Sequence, residues 1–264
     1  MSHSSTSLPP PIEPSQFPVP QQRLGQVGSP QSRPSRRRRK VINRLVETKV
    51  WKKVPYQEYQ EHVRRVYAGP KGALLWACSL VSLHAPLGDR MFRQRRFDLR
   101  GRKRILDVGS GAGQIVQHLL KYADEDAAIV GSDLSSEMLR RAQGRLKSGR
   151  PQFLSADLSR LPFADGAFDC ITCGYVLEHL PEARPGLSEM ARVLAPGGRM
   201  LLLTTEDSFG GAWTSRLFLC RTYNRQELLN ICREVGLEPV QELWLSDIHK
   251  KLRAGGICLE LRRV

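Results

Sequence analysis

Glycines and a carboxylate stand where one short apolar segment of this sequence ends, and their spacing could hold a ligand. Residues 104–108 are typical of a buried strand, the loop G-S-G-A-G follows at 109–113, and an apolar helical spacing begins at Ile115. Glycines in such a loop permit positive φ and close approach of the backbone to a ligand. A glycine loop between a strand and a helix is typical of a nucleotide site, although alone it could be only a tight turn.

The spacing of these glycines argues against two phosphate-binding loops. A dinucleotide loop places its third glycine three residues after the second, at the position where this chain has Gln114. A Walker loop needs G-K-[ST], which is absent. The loop therefore favours a nucleoside that lacks a pyrophosphate.

Further carboxylates follow the next two expected strands. Asp133 stands twenty residues after Gly113, where a carboxylate accepts hydrogen bonds from both hydroxyls of a ribose. Asp157 could accept from the exocyclic amine of adenine, with the Leu158 N–H donating to a ring nitrogen. Each acid has a simpler interpretation, since Asp133 could interact only with a helix dipole and Asp157 could form only a turn. Together with Asp107, they predict one crevice at the carboxyl edge of a parallel sheet.

Strand and helix patterns alternate from residue 104 onward, which predicts an α/β fold with a doubly wound, parallel sheet. We expect strands near 104–108, 127–132, 152–156, 168–173, 199–204, 239–245 and 256–262, and helices near 113–122, 135–147, 185–194 and 224–235. Ser135 and Asn224 are expected to cap helices, and Gly236 to end one. We expect a turn at 196–198, between a helix and a strand, and Pro86 at the end of an earlier helix.

Positive charge is concentrated in the first part of the chain. The 264 residues carry a formal net charge of +15, and residues 1–104 hold 22 Lys/Arg against 6 Asp/Glu. Residues 105–264 hold 19 against 20, so they are nearly neutral. The basic part, over residues 33–104, could meet nucleic acid or an anionic membrane surface, or it could be only a solvated charge block.

Composition divides the chain into three expected units. We predict a disordered, basic, Pro- and Ser-rich tail over 1–40, a helical N-terminal cap over 41–102, and a ligand-binding domain over 103–264. No segment is long and apolar enough to span a membrane, and no secretory signal is visible. We therefore expect a cytoplasmic protein with reduced cysteines.

Cys170 and Cys173 form a C-x-x-C pattern, but on an expected strand. Residues three apart on a strand point to opposite faces, so the two thiols should not meet. We predict that they pack in the core and bind no metal.

Several ordered motifs resemble the class I S-adenosylmethionine-dependent methyltransferases, in particular the branch of quinone-biosynthesis C-methyltransferases. The resemblance covers about residues 103–262. It rests on ILDVGSGAG at 105–113, VGSDLSSEML at 130–139, ADLSRLPFADGAFD at 156–169, GYVLEHL at 174–180 and RVLAPGGR at 192–199.

The resemblance implies a Rossmann-like, seven-stranded, mostly parallel sheet with a reversed last strand and helices on both faces. It implies S-adenosylmethionine as the cofactor and a methyltransferase domain over 103–264. Asp107 and the glycine loop would hold the methionine end, Asp133 the ribose, and Asp157 with Leu158 the adenine. The expected cofactor-binding residues are Asp107, Gly109, Ser110, Gly111, Gly113, Asp133, Leu134, Met138, Asp157, Leu158 and Gly174.

Candidates for a catalytic role follow the fourth expected strand: Tyr175, Glu178 and His179. An imidazole has an ordinary pKa near 6.5, which suits a general base, and an aromatic face favours a cationic sulfonium. A base is needed only where the nucleophile must lose a proton. His179 could equally line the cofactor or serve only as part of a turn.

These observations predict an S-adenosylmethionine-dependent methyltransferase that acts on a small, hydrophobic organic acceptor. Two alternatives stay open at the level of sequence. One is an RNA-directed methyltransferase that uses the basic N-terminal arm, and the other is a non-catalytic, cofactor-binding partner protein.

Overall fold

The computed structural model describes residues 84–208, 221–244 and 256–264. The predicted tail and most of the predicted helical cap lie outside the described residues. The described elements are α1 (His84–Arg93), β1 (Arg104–Val108), α2 (Gln114–Tyr122), β2 (Ala128–Asp133), α3 (Ser136–Leu146), β3 (Pro151–Ser155), β4 (Phe168–Gly174), a short 3-10 turn (Leu177–His179), α4 (Ala183–Val193), β5 (Leu194–Thr204), α5 (Arg225–Glu234), β6 (Leu237–Glu242) and β7 (Ile257–Arg263).

The strands form one sheet in the order β3-β2-β1-β4-β5-β7-β6. Neighbouring strands are parallel across β3, β2, β1, β4 and β5. Strand β7 runs antiparallel to both β5 and β6. The predicted fold class, a mostly parallel seven-stranded sheet with a reversed last strand, is confirmed. Because β1 lies between β2 and β4, the loop that follows it opens at the centre of the carboxyl edge.

Apolar side chains alternate along the strands and fill both faces of the sheet, as expected of strands covered by helices on both sides. Leu106 packs on one face with α4 and α5, and Ile105 packs on the other with α1 and α2. Cys173 lies in the first of these clusters and Cys170 in the second. Both thiols are free and buried, which confirms the prediction that they pack separately in the core.

The predicted helix boundaries have the expected local chemistry. The Ser135 hydroxyl accepts from the Met138 N–H, and the Asn224 side chain accepts from two N–H groups in the first turn of α5. Gly236 follows α5 with φ 82, where its N–H donates to the Arg233 carbonyl. These contacts satisfy helix-end groups that would otherwise lack partners.

Two local predictions were wrong. Pro86 does not end a helix but stands within α1, of which His84–Arg93 are described. The turn at 196–198 does not precede β5 but lies within it as an irregularity. Phe168 pairs with Leu194 and Cys170 with Arg199, so extra residues loop out of β5 there.

The last part of the predicted cap packs into the core of the sheet. Phe92 stacks on His118 and Tyr122, with ring centroids 5.6 Å and 6.4 Å apart. Phe97 and Leu99 are buried in the same cluster as Ile105. Residues 84–99 therefore cover one face of the sheet. Within the described part of the chain, no helix is long and apolar enough to cross a membrane.

The start of β7 depends on a glycine for steric reasons. Gly256 has φ +82, and a Cβ there would lie 2.5 Å from the Thr204 carbonyl oxygen, because Thr204 pairs with Ile257. Gly197 has a similar φ of +73, but a Cβ there would meet nothing within 4 Å.

We predict that Gly256→Ala lowers the free energy of unfolding by at least about 2 kcal/mol, because it adds a backbone clash to left-handed strain. Gly197→Ala, which adds only the strain, should cost about 1 kcal/mol. Denaturant unfolding of both variants measures the difference. Equal losses would show that the contact with Thr204 does not constrain the edge of the sheet.

Candidate functional site

The glycine loop after β1 is fixed by backbone and hydroxyl hydrogen bonds. Ser110 is buried, its N–H donates to the Ser132 carbonyl and its hydroxyl donates to the Asp107 carbonyl. Gly109, Gly111 and Gly113 have φ values of 69, 51 and 81, a region that L side chains rarely adopt. The sequence therefore needs glycines here for conformation as well as for space.

The space around the three glycines differs. A Cβ on Gly109 would lie 1.9 Å from Val176, so the segment after β4 packs directly against the loop. A Cβ on Gly113 would lie 3.1 Å from Ala142 of α3. A Cβ on Gly111 would come no closer than 3.8 Å to any atom, with Met138 as one neighbour. The Gly111 position is thus the open part of the loop.

Asp133 connects the end of β2 to the glycine loop. Its Oδ2 accepts from the Gly111 N–H at 2.8 Å, and its Oδ1 accepts from the Ser135 N–H at 2.8 Å. Burial raises the pKa of this carboxyl group, and the two backbone donors counteract part of the rise. A carboxylate oxygen has more than one lone pair, so these contacts leave acceptor capacity for a ribose hydroxyl.

Asp107 is almost completely buried beside β4. Thr172 stands opposite it in the register, and the Thr172 hydroxyl donates to Asp107 Oδ1 at 2.7 Å. Asp107 Oδ2 is buried and has no hydrogen-bond partner among the described residues. Burial raises the pKa of this carboxyl group to about 7, the Thr172 and Ser110 side chains lower it, and the charge of Asp133 adds to the rise.

Asp157 follows β3 and orders the turn after it. Its Oδ1 accepts from the N–H and the hydroxyl of Ser159, both at 2.8 Å, so the expected turn-forming role is present. Leu158 is buried against the core. Leu134 follows Asp133, and its carbonyl accepts from the Ser155 hydroxyl. The ends of β2 and β3 are therefore joined beside the glycine loop.

Tyr175 has an unusual backbone at the end of β4. It has φ 58, its N–H donates to the Leu203 carbonyl, and it is 36% exposed. Neighbouring protein groups reduce the solvation of the phenol and raise its pKa. The residue before it must be small, since a Cβ on Gly174 would lie 2.7 Å from Ile115. Strained backbone of this kind is common at functional sites.

Glu178 is buried and points away from solvent. Its two carboxylate oxygens accept from the Thr204 hydroxyl at 2.9 Å and the Thr205 hydroxyl at 2.8 Å. Burial raises the pKa of the carboxyl group, and these donors lower it. The Glu178 carbonyl also accepts from the Arg221 N–H. This side chain joins the turn after β4 to the end of β5.

His179 is partly buried in the same turn. Burial lowers the pKa of its imidazole from 6.5 to about 4, so the ring is neutral at physiological pH. A neutral imidazole can accept a proton, but with such a pKa it is a weak base.

The chain matches known methyltransferases over the residues that form this site. A family model described as a methyltransferase domain matches residues 106–202. The demethylmenaquinone methyltransferase of Beutenbergia cavernae is 38% identical over 117 residues, which is 43% of this chain and 47% of that protein. The ubiquinone/menaquinone biosynthesis C-methyltransferase of Pseudomonas savastanoi is 30% identical over 162 residues, 58% of this chain and 61% of that protein.

Residues 106–202 of this chain match a methyltransferase domain and are similar to class I S-adenosylmethionine-dependent methyltransferases. The chain spans about half to three-fifths of the length of these relatives. Solved structures agree on the fold. One is a methyltransferase of Haloferax volcanii in complex with the Trm112 methyltransferase activator. It has a TM-score of 0.62 and a sequence identity of 17%, and the match covers 76% of this chain and 96% of that one. Magnesium protoporphyrin IX methyltransferase from Synechocystis has a TM-score of 0.60 and a sequence identity of 20%, and the match covers 77% of this chain and 99% of that one.

The residues of the methyltransferase domain fit S-adenosylmethionine, the cofactor that gives the superfamily its name. The buried Asp107 Oδ2 lacks a hydrogen-bond partner among the described residues, and the cofactor brings an ammonium group. Gly111 is the least crowded of the three loop glycines and its N–H meets Asp133, the carboxylate expected at a ribose. The carboxylates at this edge also match the positive charge of a sulfonium.

Sequence reasoning missed the threonines that hold the carboxylates of the methyltransferase domain. Thr172, Thr204 and Thr205 are buried and donate to Asp107 and Glu178. Each threonine is far in the sequence from the acid to which it donates, so only the pairing of the strands shows that they meet. The sequence placed the acids but had no signal for their partners.

His179 should make the stability of the methyltransferase domain depend on pH. Between pH of about 6.5 and about 4, the unfolded chain binds a proton at this imidazole that the folded chain does not bind. Wild-type stability should therefore fall as the pH falls through this window. His179→Gln, which does not titrate, should lose less stability between about pH 7 and about pH 5.

Denaturant unfolding of both proteins at the two pH values measures the effect. The raised pKa of Asp107 changes stability with pH in the opposite direction. Both proteins contain Asp107, so its contribution cancels when they are compared. An identical loss in wild type and variant would mean that burial does not keep the imidazole neutral.

Proposed function

We propose that this protein transfers the methyl group of S-adenosylmethionine to a small, hydrophobic organic acceptor. The observation that carries the proposal is the placement of Asp107, Asp133 and Asp157 at the carboxyl ends of three adjacent parallel strands, with the Asp133 carboxylate accepting from the Gly111 N–H of the glycine loop. An edge so rich in carboxylates favours a cationic nucleoside over a phosphorylated one.

Each part of the cofactor has a candidate partner. Asp107 and the loop with Ser110 would bind the amino-acid end, and Asp133 would accept from the ribose hydroxyls. Asp157 and the Leu158 N–H would recognise adenine, with Leu134 and Met138 beside it. Met138 is buried and its methyl group lies near Gly111, which supports a role in lining this region.

The acceptor would bind on the β4 side of the glycine loop. When bound, S-adenosylmethionine supplies an activated methyl group on a sulfonium. Gly174 and Val176 pack against α2 and the loop, so Tyr175 between them borders the same opening. An aromatic ring at that position stabilises a cation and offers an apolar surface to a planar acceptor. The names of the similar quinone-biosynthesis enzymes support an aromatic acceptor of this class.

The roles of the residues in the turn after β4 differ in this proposal. Glu178 is buried and each of its carboxylate oxygens accepts from a threonine hydroxyl, so in this proposal it holds the turn in position. His179 is neutral at physiological pH and could accept the proton that an acceptor carbon loses. Most of the barrier reduction would come from orienting the acceptor and excluding water, which can supply about 7–11 kcal/mol.

Calorimetric titration tests the cofactor site. Wild-type protein should bind S-adenosylmethionine and S-adenosylhomocysteine, and Asp133→Ala should weaken both by at least about tenfold, because charged hydrogen bonds are worth about 1.5–3 kcal/mol. Asp126→Ala is a matched control, since that carboxylate is exposed and paired with Lys103. Equal affinities for the two variants would place the cofactor elsewhere.

Methyl transfer from labelled cofactor tests the acceptor class. We expect label to enter a solvent-extractable naphthoquinol, with transfer to a mixed RNA pool at least about a hundredfold slower per mole of acceptor, a difference of about 2.7 kcal/mol in barrier. The assay is run at about 0.05 M and about 0.2 M salt, since RNA transfer would decline steeply with salt. Transfer to RNA with no transfer to the naphthoquinol would overturn the proposed acceptor.

A further inference from the structure

The centre of the cofactor site contains a buried acid with an unusual set of neighbours. Asp107 is 1% exposed, and one of its oxygens accepts from Thr172 while the other has no partner among the described residues. An unpaired carboxylate in such a place is costly, since a buried charge needs a partner or must be neutralised.

The groups around Asp107 offer no positive charge. From β4 it meets the Thr172 hydroxyl and lies near the Cys173 thiol, from the loop it meets Ser110, and from β2 it faces the Asp133 carboxylate. No lysine, arginine or histidine of the described residues is among the groups that shift its pKa. Among the described residues, the charged group that shifts its pKa is the Asp133 carboxylate, which disfavours ionisation further.

We propose that Asp107 carries a proton in the free protein and exchanges it for the ammonium group of the cofactor, with Thr172 as the positioning residue that fixes the carboxyl group. The exchange balances: a neutral carboxyl group and a ligand ammonium become a carboxylate–ammonium pair, and one proton goes to solvent. This inference rests on the proposed function, because it assumes that an S-adenosyl ligand binds at this loop.

Thr172 would act in two ways. Its hydroxyl donates to Asp107 Oδ1, which orients the carboxyl group and leaves Oδ2 for the ammonium. A hydrogen bond to the ionised form also makes ionisation easier, so Thr172 lowers the pKa of Asp107. Thr172→Val keeps the shape and removes the donor, and Thr172→Ser keeps the donor.

Calorimetry in buffers with different ionisation enthalpies counts the protons released on binding. With a pKa of about 7 in the free protein, S-adenosylhomocysteine should release about 0.9 proton at pH 6 and about 0.1 at pH 8. 5′-Methylthioadenosine has the adenine, ribose and thioether but no ammonium group, so it should bind without this release. Its binding is also the folding control for every variant.

Two variants separate the acid from its positioning residue. Asp107→Asn should abolish the proton release. It should also weaken the binding of S-adenosylhomocysteine at least about tenfold, as expected for a lost charged hydrogen bond. The affinity for 5′-methylthioadenosine should stay as in the wild type. Thr172→Val should raise the pKa of Asp107, so that binding at pH 8 releases more protons than it does in the wild type. Thr172→Ser keeps the donor and should show the wild-type dependence of proton release on pH.

The outcomes distinguish this inference from the function on which it rests. S-Adenosylhomocysteine binding without proton release at pH 6 would overturn the exchange but not the cofactor site. Equal release with 5′-methylthioadenosine would identify Asp133 as the source and would also overturn it. An unchanged profile in Thr172→Val would remove Thr172 from the proposal. No binding of S-adenosylhomocysteine at any pH would overturn the proposed function together with this inference.

Discussion

The burial of a carboxyl group at the centre of the sheet is the constraint on which the candidate site depends. Asp107 stands on β1, which has the parallel neighbours β2 and β4, and it accepts from Thr172 of β4. The free energy needed to bury it is recovered only when a cationic ligand arrives or when a proton stays on it. A hydrophobic residue at this position would avoid the desolvation of a carboxyl group, and the proposed binding of an ammonium group gives a reason for the acid.

The sheet order explains why acids far apart in the sequence share one edge. β1, β2 and β3 are adjacent and parallel, so the residues that follow them meet at their carboxyl ends. Asp133 then contributes twice, because it both faces the ligand region and binds the Gly111 N–H. The same carboxylate therefore orders the loop and offers acceptors to the ligand, and its loss would affect both.

Sequence patterns predicted the parts of this structure that depend on local chemistry. Interactions between residues that are close in the sequence determine the glycine loop, the helix caps at Ser135 and Asn224, and the alternation of strands and helices. The errors and omissions have long-range causes. The irregular turn inside β5 is visible only in its pairing with β4, and Thr172 has no local feature that marks it as the partner of Asp107. Site residues at strand ends could be named from the sequence, but the groups that tune them could not.

Partly buried polar contacts join the elements of the reversed half of the sheet. Arg225, at the start of α5, forms two hydrogen bonds to Glu206 after β5 and contacts Glu242 at the end of β6. Its guanidinium also lies 5.0 Å from the Trp244 ring centroid. Removing one partner of the Arg225–Glu206 pair would leave a charge with reduced access to water.

This arrangement continues to the turn after β4. Tyr223 donates from its hydroxyl to the Leu177 carbonyl, next to Glu178 with its threonine partners. The turn that carries Tyr175 and His179 is therefore held from β5 and from the start of α5, while the glycine loop is held from β2 and α3. The two supports meet where Val176 packs against Gly109 of the loop.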